Sequence, residues 1–161
     1  MIRRLLAAAA RHLPEPRVIT GADGSPYLSR WTLLDLGPRW VRVYLHRFHR
    51  SDEDLELHNH PWRWAAGVIL AGGYREERRV AGDVVAVRVV RPGSLNLIHG
   101  DTFHRVELLD GECWTLFLTG SRNQEWGFWD RASGAFTPWR EFIRSKGLVP
   151  LEALRAPGGA R

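Results

Sequence analysis

The stretch LELHNHPWRW, residues 55–64, carries two histidines one residue apart and two tryptophans soon after. On an extended strand, residues i and i+2 point to the same face. His58 and His60 then present two imidazoles side by side, which suits adjacent coordination positions of one metal ion. The same parity runs on to Trp62 and Trp64, which would flank that site if the strand stays regular past Pro61, a residue that removes a ladder donor. An HxH pair also occurs on ordinary strands, so its meaning depends on what the rest of the chain brings to it.

The surrounding chain reads as β-rich. Turn signals recur at 21–26, 37–38, 72–73, 82–83, 92–93, 100–101 and 110–112. Between them lie YLSRWTLLDL, WVRVYLHRF, GVILAG, DVVAVRVV, HRVELL and CWTLFLTG, short segments rich in β-branched and aromatic residues. Short strands at intervals near ten residues predict an antiparallel sandwich or barrel. DVVAVRVV has the composition of a well-buried strand. A helix is expected over 2–12, ended by Pro14 and Pro16, and a second helical segment over 138–147, with Gly147 and Pro150 as stop signals and a frayed APGGAR tail. The 161 residues suit one domain, with its core over about 28–130.

Composition bounds the partners. The net charge is +5 and 22 of the 23 basic residues are arginine, which is compatible with an anionic partner, although a GC-rich genome gives the same bias and is the preferred reading. The arginines form no stripe and no recognition module, so no nucleic acid is expected. No apolar run is long enough to span a membrane, and a cytoplasmic protein is expected. The one cysteine, Cys113, sits in an apolar run and reads as a buried, inert thiol.

The second informative stretch is RPGSLNLIHGDTFHRVEL, residues 91–108. A Pro92-Gly93 turn opens a strand, a second turn follows, and His104 begins the next strand. Together with HNH, this resembles the cupin family of jelly-roll barrels. Its first motif runs G-x5-HxH-x3–4-E-x6-G and its second G-x5-PxG-x2-H-x3-N. His58 and His60 take the first-motif histidines, Gly72 and Gly73 the glycine turn, Pro92-Gly93-Ser94 the opening of the second motif, and His104 its histidine. The resemblance covers roughly residues 40–120, and the wording LHNHPWRW…GGY is similar to small single-domain cupins of bacteria and phages.

The resemblance implies an all-β double-stranded helix with a metal held by His58, His60 and His104. The family glutamate should fall at 64 or 65, where this chain has Trp64 and Ala65, so a three-histidine site is implied, with Glu56 a poor substitute ligand. Fe(II) is the expected ion, with Ni, Zn, Mn or Cu also able to occupy such a site. An oxygenase of a small polar or anionic substrate follows first. A metal-dependent isomerase or epimerase of a sugar or keto acid, and a non-catalytic binding module, stand beside it. A homodimer is the family's usual state.

Other candidates are carried forward by position. His99 and Asp101, ahead of His104, suit general acid–base chemistry, although Gly-Asp-Thr is good turn chemistry and the turn is the preferred reading. Tyr44 and His46 share a parity on WVRVYLHRF and can line a pocket with Trp62 and Trp64. Arg63, Arg75, Arg105 and Arg122 are candidates to clamp an anion, and EWGFWD at 125–130 to form a flap over the barrel mouth.

Overall fold

A computed structural model describes residues 1–147. The APGGAR tail and Pro150 lie outside the described residues. Two six-stranded antiparallel sheets face each other. In spatial order the first contains β1 (Arg17–Thr20), β2 (Pro26–Asp35), β3 (Arg42–Phe48), β10 (Cys113–Thr119), β5 (Trp64–Ala71) and β8 (Leu95–His99). The second contains β12 (Phe136–Pro138), β11 (Gly127–Trp129), β4 (Leu57–His58), β9 (His104–Leu108), β6 (Tyr74–Ala81) and β7 (Val84–Val90). This is the expected jelly-roll arrangement. Among the described residues no helix is long and apolar enough to cross a membrane.

Alternation assigns the faces. Ile69, Tyr74, Val90, Val106 and Cys113 form an apolar cluster between the sheets, joined by Phe48 and Leu108. Burial pushes the Cys113 thiol up to about 12, consistent with an inert core residue. A second inner cluster holds Trp62, Ala65 and Ile98 with Phe117. On the outer side of the first sheet, α1 (Ile2–Ala10) packs Ala10, with Leu6 and Ala7, onto Trp31, Leu45 and Trp114. The two indoles stack at 5.7 Å, so these tryptophans fix the helix to the sheet. Gly72 turns β5 into β6 with φ +79°, and a Cβ there would lie 2.2 Å from the Glu112 carbonyl oxygen. Only glycine fits that corner.

Four expectations change. YREERRVA, unassigned from sequence and with five charged residues of eight, is β6, an interior strand of the second sheet between β9 and β7. DVVAVRVV is β7, but it is an edge strand paired only with β6, so Val84, Val87 and Val89 are more than half exposed rather than buried. EWGFWD is not a flap: Gly127–Trp129 is β11, held between β4 and β12. It is backed by α2 (Trp139–Ser145), whose Phe142 stacks on Phe128 at 3.8 Å. The first helix ends at Ala10, with Arg11 as its C-cap, before the prolines are reached.

Candidate metal centre

HNH is extended, as its parity requires. His58 lies on β4, opposite His104 on β9 and Phe128 on β11. Asn59 points away from the histidines and is buried. Its amide donates to the Gly100 carbonyl at 3.2 Å, and its carbonyl accepts from the Gly127 N–H at 2.8 Å. One asparagine therefore ties the HNH segment to the turn after β8 and to β11. Gln124 adds a bond to the His60 carbonyl at 2.8 Å. The backbone that carries the two imidazoles is thereby fixed on both sides.

His58, His60 and His104 converge, each offering one ring nitrogen, and these atoms all lie within 4.8 Å of one another. His60 Nε2 and His104 Nε2 are 2.8 Å apart, so at most one of the two carries a proton. A single ion with metal–nitrogen bonds of about 2.1 Å places neighbouring ligand atoms about 3 Å apart, so this spacing suits one ion. Burial pushes the His58 imidazole down to about 4, against the pull of Asp52, whose Oδ2 is 3.8 Å from its Nδ1. Burial, then the neighbouring His104 and His58, hold His60 well below its ordinary range. Neutral rings with free lone pairs are the form that binds a metal. The residues fit the ion that the fold implies.

The carboxylate comes from an unforeseen strand. Glu76, on β6 and fully buried, accepts the His104 Nδ1–H at 2.7 Å. That bond selects the tautomer that leaves Nε2 toward the cluster, the usual outer partner of a ligating histidine. Glu76 also accepts from Arg78 Nη2 at 3.1 Å, Arg88 Nε at 2.6 Å and Asn96 Nδ2 at 3.1 Å. Asn96 Nδ2 donates in turn to the Tyr74 hydroxyl at 2.8 Å. Burial alone would raise the Glu76 pKa; the hydrogen bond from His104 and the charge of Arg78 outweigh it and hold the carboxyl well below its ordinary range. Position 64 or 65 was where a carboxylate was sought. The signal for Glu76 was its parity with Tyr74 after the glycine turn. Glu56 precedes β4 and does not join the converging group.

The remaining sequence candidates divide between faces. Trp62 is buried and stacks on His60 at 5.3 Å, and Tyr44 and His46 face inward on β3, 5.7 Å apart. Trp64 does not flank the histidines. Regular alternation restarts with β5 beyond Pro61, putting Ala65 in the core and Trp64 outside, where its indole crosses Gly120. A side chain at 120 would collide with the indole, its Cβ 2.5 Å from Nε1. His99 follows inward-facing Asn96 and Ile98 on β8 and so lies on the outer side. There it lines an open groove with Trp64, Trp40, Arg39 and Arg63. Asp101 is an exposed turn residue, and the His99 N–H donates to Thr102 Oγ1 at 3.1 Å within that turn. The positions proposed for acid–base work are thus outward or in a turn. Arg105 faces outward on β9, 3.6 Å from Glu77. Arg75 pairs with Glu107 and Glu77 on the same outer side. Arg122 bridges to Trp62 through the backbone.

The buried histidines predict acid lability. Between the folded and unfolded pKa of a group held neutral, the unfolded chain binds more protons. His58 therefore contributes its full share of stability above about pH 6.5 and loses it as the pH falls toward about 4, on the order of 3 kcal/mol for the metal-free protein. His46 and His60 act in the same direction. Glu76, held low, adds a further loss below about pH 4.5. Urea midpoints of metal-free protein measured across this range should fall from near-neutral pH downward. A midpoint that stays level between about pH 6.5 and 5 contradicts buried neutral imidazoles.

No protein-family model matches the sequence, and no curated protein is significantly similar to it. Solved structures do match. The DMSP lyase structures, RdDddP and RnDddQII, give a TM-score of 0.54 at 19% identity over 75% of this chain and 62% of that one. Fe(II)-HppE with the alternative substrate (S)-1-HPP gives 0.51 at 12% identity, over 65% of this chain and 56% of that one. A protein proposed to be a mannose-6-phosphate isomerase from Ralstonia eutropha gives 0.51 at 18% identity, over 68% and 92%. The chain thus spans little more than half the length of HppE. At these identities the likeness is one of architecture: the chain has the cupin fold, with three histidines converging between its sheets.

Proposed function

We propose that this protein is a mononuclear non-haem Fe(II)-dependent oxygenase acting on a small polar or anionic substrate. The observation that carries the reading is the convergence of three imidazoles, His104 buried and His58 and His60 partly so, with no carboxylate among the converging groups of the described residues. Three protein ligands leave positions for oxygen and substrate, as a catalytic ion requires. Fe(II) bound there would supply the one-electron chemistry that oxygen activation needs. The chain's own residues do the rest. His58 and His60 present neutral rings, Glu76 keeps His104 turned with Nε2 forward, and Trp62 covers His60 and excludes water. The cytoplasmic location and homodimeric state expected from the sequence belong to this reading.

Oxygen consumption by the iron-loaded protein, across a panel of thiols, amino acids and 2-oxo acids, tests it. Uptake is expected with one of these classes and not in His104→Ala. Iron bound at about one per chain with no uptake anywhere would reject the oxygenase. The reading would then pass to an isomerase or epimerase, in which the ion acts as a Lewis acid and consumes no oxygen.

A further inference from the structure

The inner face of the first sheet carries a cation without a counter-ion. Arg30 lies mid-way along β2, opposite His46 and in parity with Leu28, a core residue. Its guanidinium lies 5.0 Å from the centre of the Tyr44 ring and 6.0 Å from that of Trp62. Burial lowers its pKa to about 10, which leaves it charged at neutral pH. The other inward guanidiniums, Arg78 and Arg88, share the Glu76 carboxylate. Arg30 makes no ion pair among the described residues; its hydrogen bond runs from Nε to His46 Nε2 at 2.9 Å. Arg30 is partly buried, and charges drawn out of water in this way are paired as a rule, because their desolvation is otherwise uncompensated.

His46 adds a second unmet group. It is 2% exposed and spends its Nε2 lone pair accepting from Arg30, so its proton sits on Nδ1. That Nδ1 is buried and has no partner among the described residues, as is Thr115 Oγ1, directly across the β3–β10 pairing from His46. One full positive charge beside a neutral N–H and a hydroxyl calls for an acceptor with one negative charge and two oxygens. A planar fork meets a carboxylate in this way. Trp62 bridges the two regions, stacking on His60 and lying under the Arg30 guanidinium.

We propose that Arg30 and His46, with Thr115 beside them, form a subsite for the carboxylate of a small organic acid, whose other end reaches the three-histidine cluster past Trp62. This narrows the substrate of the proposed oxygenase to a carboxylic acid and rests on that reading only for what happens at the far end. The test titrates acetate, pyruvate and inorganic phosphate into metal-free protein, followed by tryptophan fluorescence and calorimetry. One saturable site for the acids is expected, weakened about tenfold or more in Arg30→Met, partly retained in Arg30→Lys, and unchanged in His104→Ala. Circular dichroism identifies a variant that has not folded, in which case His46→Phe takes its place, with weaker acid binding again expected.

Equal affinity in Arg30→Met or His46→Phe, or no saturation by either acid, overturns the subsite. Phosphate binding more tightly than both acids overturns the carboxylate assignment, and binding lost in His104→Ala places the anion at the histidines instead. A protein that binds acid through Arg30 but never holds a metal leaves the subsite standing and rejects the oxygenase.

Discussion

Replacing His104 with alanine is expected to take the metal content of the purified protein from about one ion per chain to a small fraction of that, with the fold intact. His104 is the proposed ligand that joins the two halves of the site: its Nε2 lies 2.8 Å from that of His60, and its ring sits 5.0 Å from that of His58. Without it, two imidazoles remain, too few to hold a first-row ion against dilution. The loss should exceed the roughly 10–100-fold typical of removing an outer hydrogen-bond partner. Elemental analysis after dialysis, beside His58→Ala and a His99→Ala control, decides it. His99 points outward on β8, so its removal should leave the metal in place. Wild-type metal content in His104→Ala would show that the ion, if any, sits elsewhere.

The second large effect lies one layer out. Glu76→Ala removes the acceptor shared by His104, Arg78, Arg88 and Asn96, and Glu76 has no exposure to water that could take its place. Breaking a buried charge network from one side costs about 3–5 kcal/mol, because the partners are left desolvated and unpaired. The side chain of Arg88 is 44% exposed, so its share is partly relieved by solvent. In a chain of this size the loss lowers the thermal midpoint by about 6–20 °C. Glu76→Gln separates structure from metal: the amide oxygen still accepts from His104, but the charge that balances two arginines is gone. A milder destabilisation is expected, with metal affinity down by about 10–100-fold. If Glu76→Gln binds metal as tightly as wild type, Glu76 serves only the fold.

The two variants touch the part of the site that was hardest to read from sequence. HNH was legible as a same-face pair because a period-2 pattern needs only local physics, and the resemblance to the cupin motifs joined His104 to it. Glu76 was not, because YREERRVA has charges on both faces and no apolar alternation to mark a strand. It forms one because β9 and β7 pair on either side and the inward charges satisfy each other. Arg30 was hidden differently. It stands among Leu28, Trp31 and Leu33, where a lone charge looks like the solvent side of a strand. Only the position of β3 shows that this side faces His46. Trp64 failed because parity was carried through Pro61, where the chain leaves β4 and starts β5 afresh. Residue type was readable at each of these positions; which face the residue would join was set by strands distant in sequence.

The distance along the chain between the ligands has a kinetic side. His58 and His60 leave the ribosome almost together, whereas His104 follows His60 by 44 residues. Its neighbour in the finished sheet, β6, lies between them in sequence. The nascent chain therefore exposes a two-histidine fragment long before the third arm exists, and that arm arrives only when β9 has closed against both β4 and β6. Closing such a loop is slow compared with local turn formation. An ion captured early would be held by two rings and exchange freely; one captured after closure would be retained. Refolding in the presence of metal should accordingly show retention of the ion trailing the recovery of native fluorescence rather than preceding it.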